Sequence, residues 1–346
     1  MTVQVSHSST RRTVRPACYW WYCIVTVLMV SLGCGRNDQD PTAVRVALIT
    51  PGSVADAAWN AGAYRGLQLI HDSLGLPVSH VEARTPGAQN EALRAYAVQG
   101  YDLVFAHGFE FQDPAERVAA EYPGTIFIIT SGVRVADSGL VAPLVFRLHE
   151  ASFLAGMAAG GLTRSGVIGF VGGIELPPIR LAYRGWVNGA RRVRPDVDTR
   201  ITYLNSFDDA AAGREAALAL ISLGADMLHH NADAAALGAF QAARERPGVY
   251  LFGANEDQSA LAPARVVGSA VIDLPRAFLA VAREVAEGRF TPRVETFGLA
   301  SGVVRYVPNP AAERVPPSSL ARWIAAAADS ISRGEIATVR LEGESP

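Results

Sequence analysis

From residue 43 onward, short runs of β-branched and aromatic residues alternate with longer stretches that are rich in Ala and Leu. This alternation predicts parallel strands that are joined by crossover helices. The run TIFIIT at 125–130 is apolar throughout, which is typical of a strand buried on both faces of a parallel sheet. The pattern therefore restricts the chain to an α/β fold with doubly wound sheets.

The alternation passes through two cycles, and the second restarts near residue 150. The first cycle predicts alternating strands and helices at 44–49, 57–74, 78–83, 88–99, 103–106, 115–121 and 125–129. The second predicts elements, beginning with a helix, at 150–162, 167–173, 181–193, 199–204, 210–223, 227–230, 234–245, 249–252 and 266–272. A helix at 275–287, an extended stretch at 294–306 and a helix at 320–333 follow. Two similar cycles predict two Rossmann-like lobes that are joined by a hinge.

The chain of a hinged two-lobed protein crosses between its lobes several times. We therefore expect the first lobe to contain 43–149 and about 273–300, and the second 150–272 and about 301–315. A linker with Pro316 and Pro317 then leads into a C-terminal helix and tail at 316–346.

The amino-terminal segment has the features of an export signal. Arg11, Arg12 and Arg15 precede an apolar stretch at 17–32, and small residues lead to Cys34. This order predicts a signal peptide at 1–33, and a cysteine directly after the cut is the position that bacteria acylate. We expect an exported chain that Cys34 anchors by lipid on the periplasmic or extracellular face of a membrane, with 34–42 as a tether. A single transmembrane anchor is the alternative, since the stretch is only slightly shorter than a spanning helix.

Composition excludes several function classes. Cys18 and Cys23 lie inside the predicted signal, so Cys34 would be the last thiol and no intramolecular disulfide is expected. All 31 basic residues are Arg, which rules out a Schiff-base or P-loop lysine. A net charge of -2 without a basic run beyond the signal argues against nucleic-acid binding. There is no Gly-x-Ser-x-Gly or His-Glu-x-x-His motif, so we expect neither an enzyme nor a cofactor.

Four stretches carry a resemblance to a known family. They are DAAWNAGAYRGL from Asp56, GFVGGIELPPIRLAYRGWVNGA from Gly169, NSFDDAAAGREAALALISLGADMLHH from Asn205 and GANEDQ from Gly253. With the lipoprotein-like start, this ordered set resembles the basic membrane lipoprotein family, purine-nucleoside receptors that serve ABC importers. The resemblance implies a monomer with the type I periplasmic-binding-protein fold, a nucleoside-like ligand between the lobes, and permease and ATPase partners. A sensor or accessory lipoprotein of the same fold, signalling to another membrane partner, is the alternative.

The first group of candidate ligand-binding residues follows the first predicted strand. Asp56, Trp59 and Asn60 match an Asp-x-Ser-Phe-Asn pattern of the family, with Ala58 in place of Ser and Trp59 in place of Phe. An aromatic face stacks on a heterocycle, while the carboxylate and amide bind its polar edges. The alternative is that Asp56 only caps the helix and Trp59 only packs against the sheet.

The third predicted strand ends at His107, Gly108 and Phe109, which form the second group. We expect His107 to donate a hydrogen bond to the ligand and Gly108 to permit a close backbone approach. The alternative for His107 is a satisfied polar residue at a strand end.

The second lobe supplies a third group. Gly173 leaves backbone amides free to face a ligand, Phe207 is the expected stacking face opposite Trp59, and Asn231 is a polar contact. The alternative for Phe207 is a core residue. The carboxylates of Asp208, Asp209 and Asp233 are interpreted as helix caps.

The GANEDQ stretch supplies Asn255 and Asp257 and also marks a departure from the family. In nucleoside-binding members, Asp is usual at the position of Asn255 and Lys at that of Ile272. The charge-assisted hydrogen bonds that such residues give to ribose hydroxyls are absent here. The expected ligand is therefore a free base, a modified nucleoside or another flat heterocycle.

His229 and His230 are adjacent on a predicted strand, and their side chains therefore point to opposite faces. We expect no metal site at this pair.

Overall fold

The computed structural model describes residues 1, 2, 4 and 43–339. The described residues leave out 3, 5–42 and 340–346. Cys34 and nearly all of the predicted signal and tether therefore lie outside them. The strands are β1 (Val46–Thr50), β2 (Val78–Glu82), β3 (Leu103–Ala106), β4 (Ile126–Thr130), β5 (Val141–Phe146), β6 (Val167–Gly172), β7 (Asp198–Tyr203), β8 (Met227–Asn231), β9 (Tyr250–Asn255), β10 (Val266–Ile272), β11 (Glu295–Phe297) and β12 (Val304–Pro308). The α-helices are α1 (Trp59–Leu74), α2 (Pro86–Val98), α3 (Gln112–Glu121), α4 (Leu148–Leu162), α5 (Pro177–Val193), α6 (Ala210–Ser222), α7 (Ala236–Glu245), α8 (Leu274–Ala286) and α9 (Ser318–Ser332).

The strands form two six-stranded sheets, and each is the centre of one lobe. The first lobe has the order β11-β5-β4-β3-β1-β2, with every pair parallel. The second has the order β12-β10-β9-β8-β6-β7, with only β12 antiparallel. The predicted fold, two doubly wound lobes of the type I periplasmic-binding-protein class, is confirmed.

Both faces of each sheet are buried, which explains the continuous apolar runs. In β1, Leu48 packs with Phe105 and Phe278 on one face of the sheet. Its neighbours Ala47 and Ile49 belong to a separate core cluster on the other face. A strand with such surroundings requires apolar residues at every position.

The chain passes between the lobes at three places. It enters the second lobe after β5 and returns to the first lobe after β10, with α8. It enters the second lobe again between β11 and β12. Helix α8 packs on the first lobe, where Phe278 stacks on Phe105 with ring centroids 4.1 Å apart. The residue numbers of the lobe boundaries stay a prediction.

Helices α4 and α5 pack backbone to backbone beneath the second sheet. A Cβ on Gly156 would lie 2.1 Å from the carbonyl oxygen of Trp186, and a Cβ on Gly189 would lie 1.9 Å from that of Phe153. Only glycine permits this approach, which locks the two helices into a single layer.

The structure differs from the predicted elements at several places. The extended stretch predicted at 294–306 is divided between β11 of the first sheet and β12 of the second. Strand β5 was not predicted, because Pro143 interrupts its apolar run and proline cannot donate to a sheet ladder. Its partner β11 pairs only with Leu144–Phe146. Pro143, which has no N–H to donate, therefore lies just before the paired residues. Helix α5 begins at Pro177 and not at residue 181, because prolines at the first helical positions need no N–H partner.

Across the described part of the chain, no helix has the length and apolar character needed to cross a bilayer.

Candidate ligand-binding site

A cavity of about 500 Å³ lies at the carboxyl ends of the strands of both sheets. Open α/β sheets bind ligands at this edge, and the volume suits a small molecule. The predicted site residues that line the cavity are Asp56, Trp59, Asn60, Gly108, Phe109, Phe207, Asn231 and Asn255. His107, Gly173 and Asp257 do not line it.

Asp56 holds the first turn of α1 and the side chain of Asn60. Its carboxylate accepts hydrogen bonds from the backbone N–H groups of Ala58, Asn60 and Ala61 at 3.0, 2.8 and 2.9 Å. It also accepts from Asn60 Nδ2 at 2.9 Å. This contact fixes the amide orientation and leaves Asn60 Oδ1, which is buried, without a hydrogen-bond partner among the described residues. Asp56 is thus a helix cap, and Asn60 presents an acceptor in the cavity wall.

His107 contacts Trp59 and holds it in position. Its ring stacks on the indole with centroids 4.1 Å apart, and Nε2 donates to the Trp59 carbonyl oxygen at 3.0 Å. Nδ1 accepts from the hydroxyl of Thr130 at 3.0 Å. Complete burial lowers the pKa of His107 to about 3, so the ring is neutral. The structure therefore makes His107 a positioning residue for Trp59.

Gly173 makes room for Phe207. A Cβ on Gly173 would lie 2.2 Å from the phenyl ring, so any larger residue would displace Phe207 from the cavity wall. Asp257 has a local function, since it accepts hydrogen bonds from the Ser259 N–H at 3.0 Å and the Ser259 hydroxyl at 2.6 Å. It stabilises the turn that follows β9.

Asp233 is one of the lining residues that were not predicted as ligand contacts. It is only 8% exposed, and Asn255 Nδ2 donates to its carboxylate at 3.1 Å and to Asn231 Oδ1 at 3.4 Å. Burial, and secondarily the charge of Asp56, raises the pKa of Asp233 well above its usual range. It was interpreted as a helix cap, but its side chain caps no backbone N–H in the described structure. The signal was its position two residues after Asn231, at the end of a buried strand.

Left-handed backbone geometry concentrates around the cavity. The described non-glycine residues with positive φ all follow or end a strand at this edge, and they are Ala57, Ser131, Asn205, Asp233 and Asn255. Four of the five line the cavity. Backbone in this region costs free energy and persists where the surroundings enforce it, so it indicates a preformed site.

The cavity rim carries an ion pair between the lobes. Arg84, after β2, lies 3.5 Å from the carboxylate of Asp208, after β7, and both side chains are exposed. The helix cap expected from Asp208 and Asp209 is provided by Asp209, whose Oδ1 accepts from the Ala212 N–H at 2.9 Å.

The two adjacent histidines of β8 point to opposite faces of their sheet. His229 donates to the Phe252 carbonyl oxygen at 3.0 Å, whereas His230 donates to Gln258 Oε1 at 2.8 Å. Within the described residues, no group of three or more potential metal ligands occurs.

The carboxyl ends of the strands of both lobes face one cavity of ligand size. This arrangement defines a two-lobed small-molecule binding protein. The chain belongs to the Bmp family, described as ABC transporter substrate-binding protein PnrA-like, whose model matches residues 43–332. The family resemblance drawn from the four sequence stretches is therefore confirmed.

Relatives agree with this assignment. The chain is 30% identical to Basic membrane protein A2 of Borrelia garinii, over 82% of this chain and 85% of that protein. It is also 30% identical to the ABC transporter nucleoside-binding protein BmpA of Lactococcus lactis, over 67% of this chain and 71% of that protein. A solute-binding protein of an ABC transporter system from Aeropyrum pernix has the same fold, with a TM-score of 0.79 at 22% identity, over 87% of this chain and 94% of that one.

Members of this family bind a substrate without transforming it, so the chain is a substrate-binding protein and not an enzyme. Its role implies a small-molecule ligand and the permease and ATPase subunits of an ABC transporter as partners. Substrate-binding proteins of ABC importers are exported.

Proposed function

We propose that this chain is the lipid-anchored receptor of an ABC importer and that it binds a flat heterocyclic molecule of nucleoside size between its lobes. One observation carries the proposal: Trp59 from the first lobe and Phe207 from the second both line the same cavity of about 500 Å³. Each aromatic face that stacks on a base contributes about 1–3 kcal/mol. A ligand between them would contact both lobes and select their closed arrangement.

The polar residues of the wall support a heterocycle over an ordinary ribonucleoside. Asn255 and Ile272 stand where nucleoside-binding members are expected to carry Asp and Lys, and both line the cavity. A hydroxyl that loses a buried partner costs on the order of 1–3 kcal/mol. The ribose of an ordinary nucleoside would therefore bind more weakly here than to a wall with both charges, whereas a free base, a modified nucleoside or another flat heterocycle would lose less.

A thermal-shift screen tests the ligand class. The full chain, purified in detergent, is mixed with nucleosides, free bases, heterocyclic vitamins, sugars and amino acids. A ligand at one hundred times its Kd stabilises the folded state by about 2.7 kcal/mol, which raises the melting temperature by several degrees. We expect a heterocycle to produce this shift. A shift with a sugar or an amino acid alone, or with no compound at all, would contradict the proposal.

The lipid anchor is proposed from Cys34 and the apolar segment before it. Cells that express the chain are fed a clickable palmitate analogue, and the wild type is compared with Cys34→Ser. We expect label in the wild type and none in the variant, together with loss of the variant from the membrane fraction. Equal labelling of both proteins would place the modification elsewhere and remove the anchor from the proposal.

A further inference from the structure

A buried carboxylate without a cationic partner lies in the cavity wall. Asp233 is 8% exposed and receives one hydrogen bond, from Asn255 Nδ2, within the part of the chain that the structure describes. The charged groups that act on it, Asp56, Asp208 and Glu110, are all acidic. Removing a carboxylate from water is costly unless a partner compensates it. The cavity wall thus holds a buried carboxyl group that no cationic side chain of the wall pairs with.

The cationic residue that lines the cavity already pairs with other carboxylates. Among the described residues that line the cavity, Arg84 is the only cation. Its guanidinium is half exposed at the rim, where it pairs with Glu82 and Asp208. The Asp56 carboxylate is stabilised by three N–H donors at the start of α1, but Asp233 has no equivalent set of N–H donors among the described residues.

A second unsatisfied acceptor lies in the opposite lobe. Asn60 is 5% exposed and its Oδ1 has no hydrogen-bond partner among the described residues, while its Nδ2 is held by Asp56. The amide cannot rotate to present its donor without placing its oxygen against that carboxylate. Both walls therefore offer acceptors to whatever lies between them.

Aromatic rings complete the surroundings. Trp59, Phe109, Phe146 and Phe207 all line the cavity, and Phe146 meets Trp59 edge to face with centroids 6.1 Å apart. The faces of such rings attract cations, and aromatic residues combined with a carboxylate recognise organic cations.

We propose that the ligand is a flat heterocycle that carries a positive charge, an inference that rests on the proposed function. Asp233 pairs with that charge from the second lobe, and Asn60 Oδ1 accepts a hydrogen bond from a ring N–H or amino group on the side of the first lobe. The rings of Trp59 and Phe207 hold the planar cation between them.

The opposite possibility is a neutral ligand that accepts a hydrogen bond from protonated Asp233. The two cases differ in the sign of proton linkage. A cation favours the ionised carboxylate, so its binding releases protons from the protein. An acceptor favours the protonated carboxyl, so its binding releases none or takes protons up.

Isothermal titration calorimetry of the full chain in detergent separates these cases with two matched pairs of probes. One pair is 1-methyladenosine, cationic at neutral pH, and adenosine; the other is 1-methylnicotinamide, permanently cationic, and nicotinamide. We expect at least one cation to bind at least tenfold more tightly than its neutral partner. Titration of 1-methylnicotinamide in two buffers of different ionisation enthalpy should show proton release, which only the protein can supply.

Two variants locate the charge. Asp233→Asn keeps a residue that tolerates positive φ, and we expect cation affinity to fall at least a hundredfold while neutral probes change little. Asp196→Asn, an 81% exposed site just before β7 at the other end of the second sheet, should leave all affinities unchanged. Neutral probes that bind as tightly as cations, proton uptake, or undiminished cation affinity in Asp233→Asn would each overturn this inference while heterocycle binding stands. Failure of every heterocycle, charged and neutral, would overturn the proposed function with it.

Discussion

At the scale of single residues, one carboxylate organises the wall of the first lobe. Asp56 satisfies three backbone N–H groups at the start of α1 and orients Asn60 through its amide nitrogen. The sequence offered two interpretations for Asp56, helix cap or ligand contact, and the structure joins them. The cap is what leaves the Asn60 oxygen free for a ligand.

The Asp56→Ala substitution should therefore affect both stability and binding. Loss of a helix cap lowers the free energy of unfolding by about 1–2 kcal/mol, and the freed Asn60 amide should weaken ligand binding as well. Urea denaturation and calorimetry measure the two effects. The matched control is Thr85→Ala, which removes an exposed cap of α2 with one hydrogen bond of 3.2 Å. A stability loss as large as that of Asp56→Ala, or any loss of affinity, in the control would contradict this account.

Removal of the Trp59 indole should weaken ligand binding without abolishing it. Truncation in Trp59→Ala deletes one stacking face, so we expect Kd to rise about tenfold to a hundredfold, corresponding to about 1–3 kcal/mol. Trp59→Phe should retain most of the affinity. Trp323→Ala, on α9 and 42% exposed, is the control that removes an indole elsewhere. Affinity that survives in Trp59→Ala would remove the stacking argument.

Residue types at strand ends predicted much of the cavity, but not its charge balance. Trp59, Asn60, Phe207 and Asn255 were accessible from their positions after strands, because parallel strands end at one edge. The support that His107 gives to Trp59 was not accessible, since stacking depends on the distance between two separate elements. The burial of Asp233 was likewise not accessible from the sequence, because it depends on the packing of separate elements around the cavity.

At the scale of elements, the contact between α4 and α5 depends on glycine. The Gly189→Ala substitution would press a methyl group against the carbonyl oxygen of Phe153, where a Cβ would lie at 1.9 Å. The helices must separate, and we expect a loss of about 1–3 kcal/mol in the free energy of unfolding, which is typical of overpacking. Gly87→Ala is the matched control in α2, because a Cβ there meets nothing within 4 Å. Its stability should be unchanged or slightly increased; equal losses in both variants would refute the packing explanation.

Helices and strands with strong periodicity were predicted to within a few residues, as β3 and β10 show. Two of the elements that were predicted wrongly have unusual proline positions. Strand β5 contains Pro143 yet lies between two partners, because β11 begins to pair only one residue later. The prolines at the start of α5 mark its first turn and not the loop before it.

At the scale of the whole molecule, two sheets contribute residues to one binding site. Ion pairs join the lobes, with Arg65 contacting Glu256 and Arg84 facing Asp208. Asn60 and Asp233 lie on opposite walls, so each lobe alone presents an incomplete site. A ligand that satisfies both walls stabilises the arrangement in which they face each other, which is how occupancy can be passed to a transporter.

Buried histidines should make the stability of the whole chain fall with acidification. Burial lowers the pKa of His107 and His229 to about 3 and that of His149 and His230 to about 4. The unfolded chain binds their protons near pH 6.5, so stability is complete above that pH and is lost progressively as pH falls toward the folded values. The raised pKa values of Asp233, Glu110 and Glu256 oppose this trend, whereas the lowered pKa of His80 adds to it.

Urea denaturation between pH 7 and pH 5 measures this dependence as a slope of the free energy of unfolding. Each fully titrating histidine contributes about 1.4 kcal/mol per pH unit. His149→Gln removes a partly buried histidine whose Nδ1 hydrogen-bonds the hydroxyl of Thr338, and its average slope should be shallower by about 1 kcal/mol per pH unit. A slope that His149→Gln leaves intact, or a stability that stays constant down to pH 5, would show that proton binding by these buried rings does not set the acid limit of the fold.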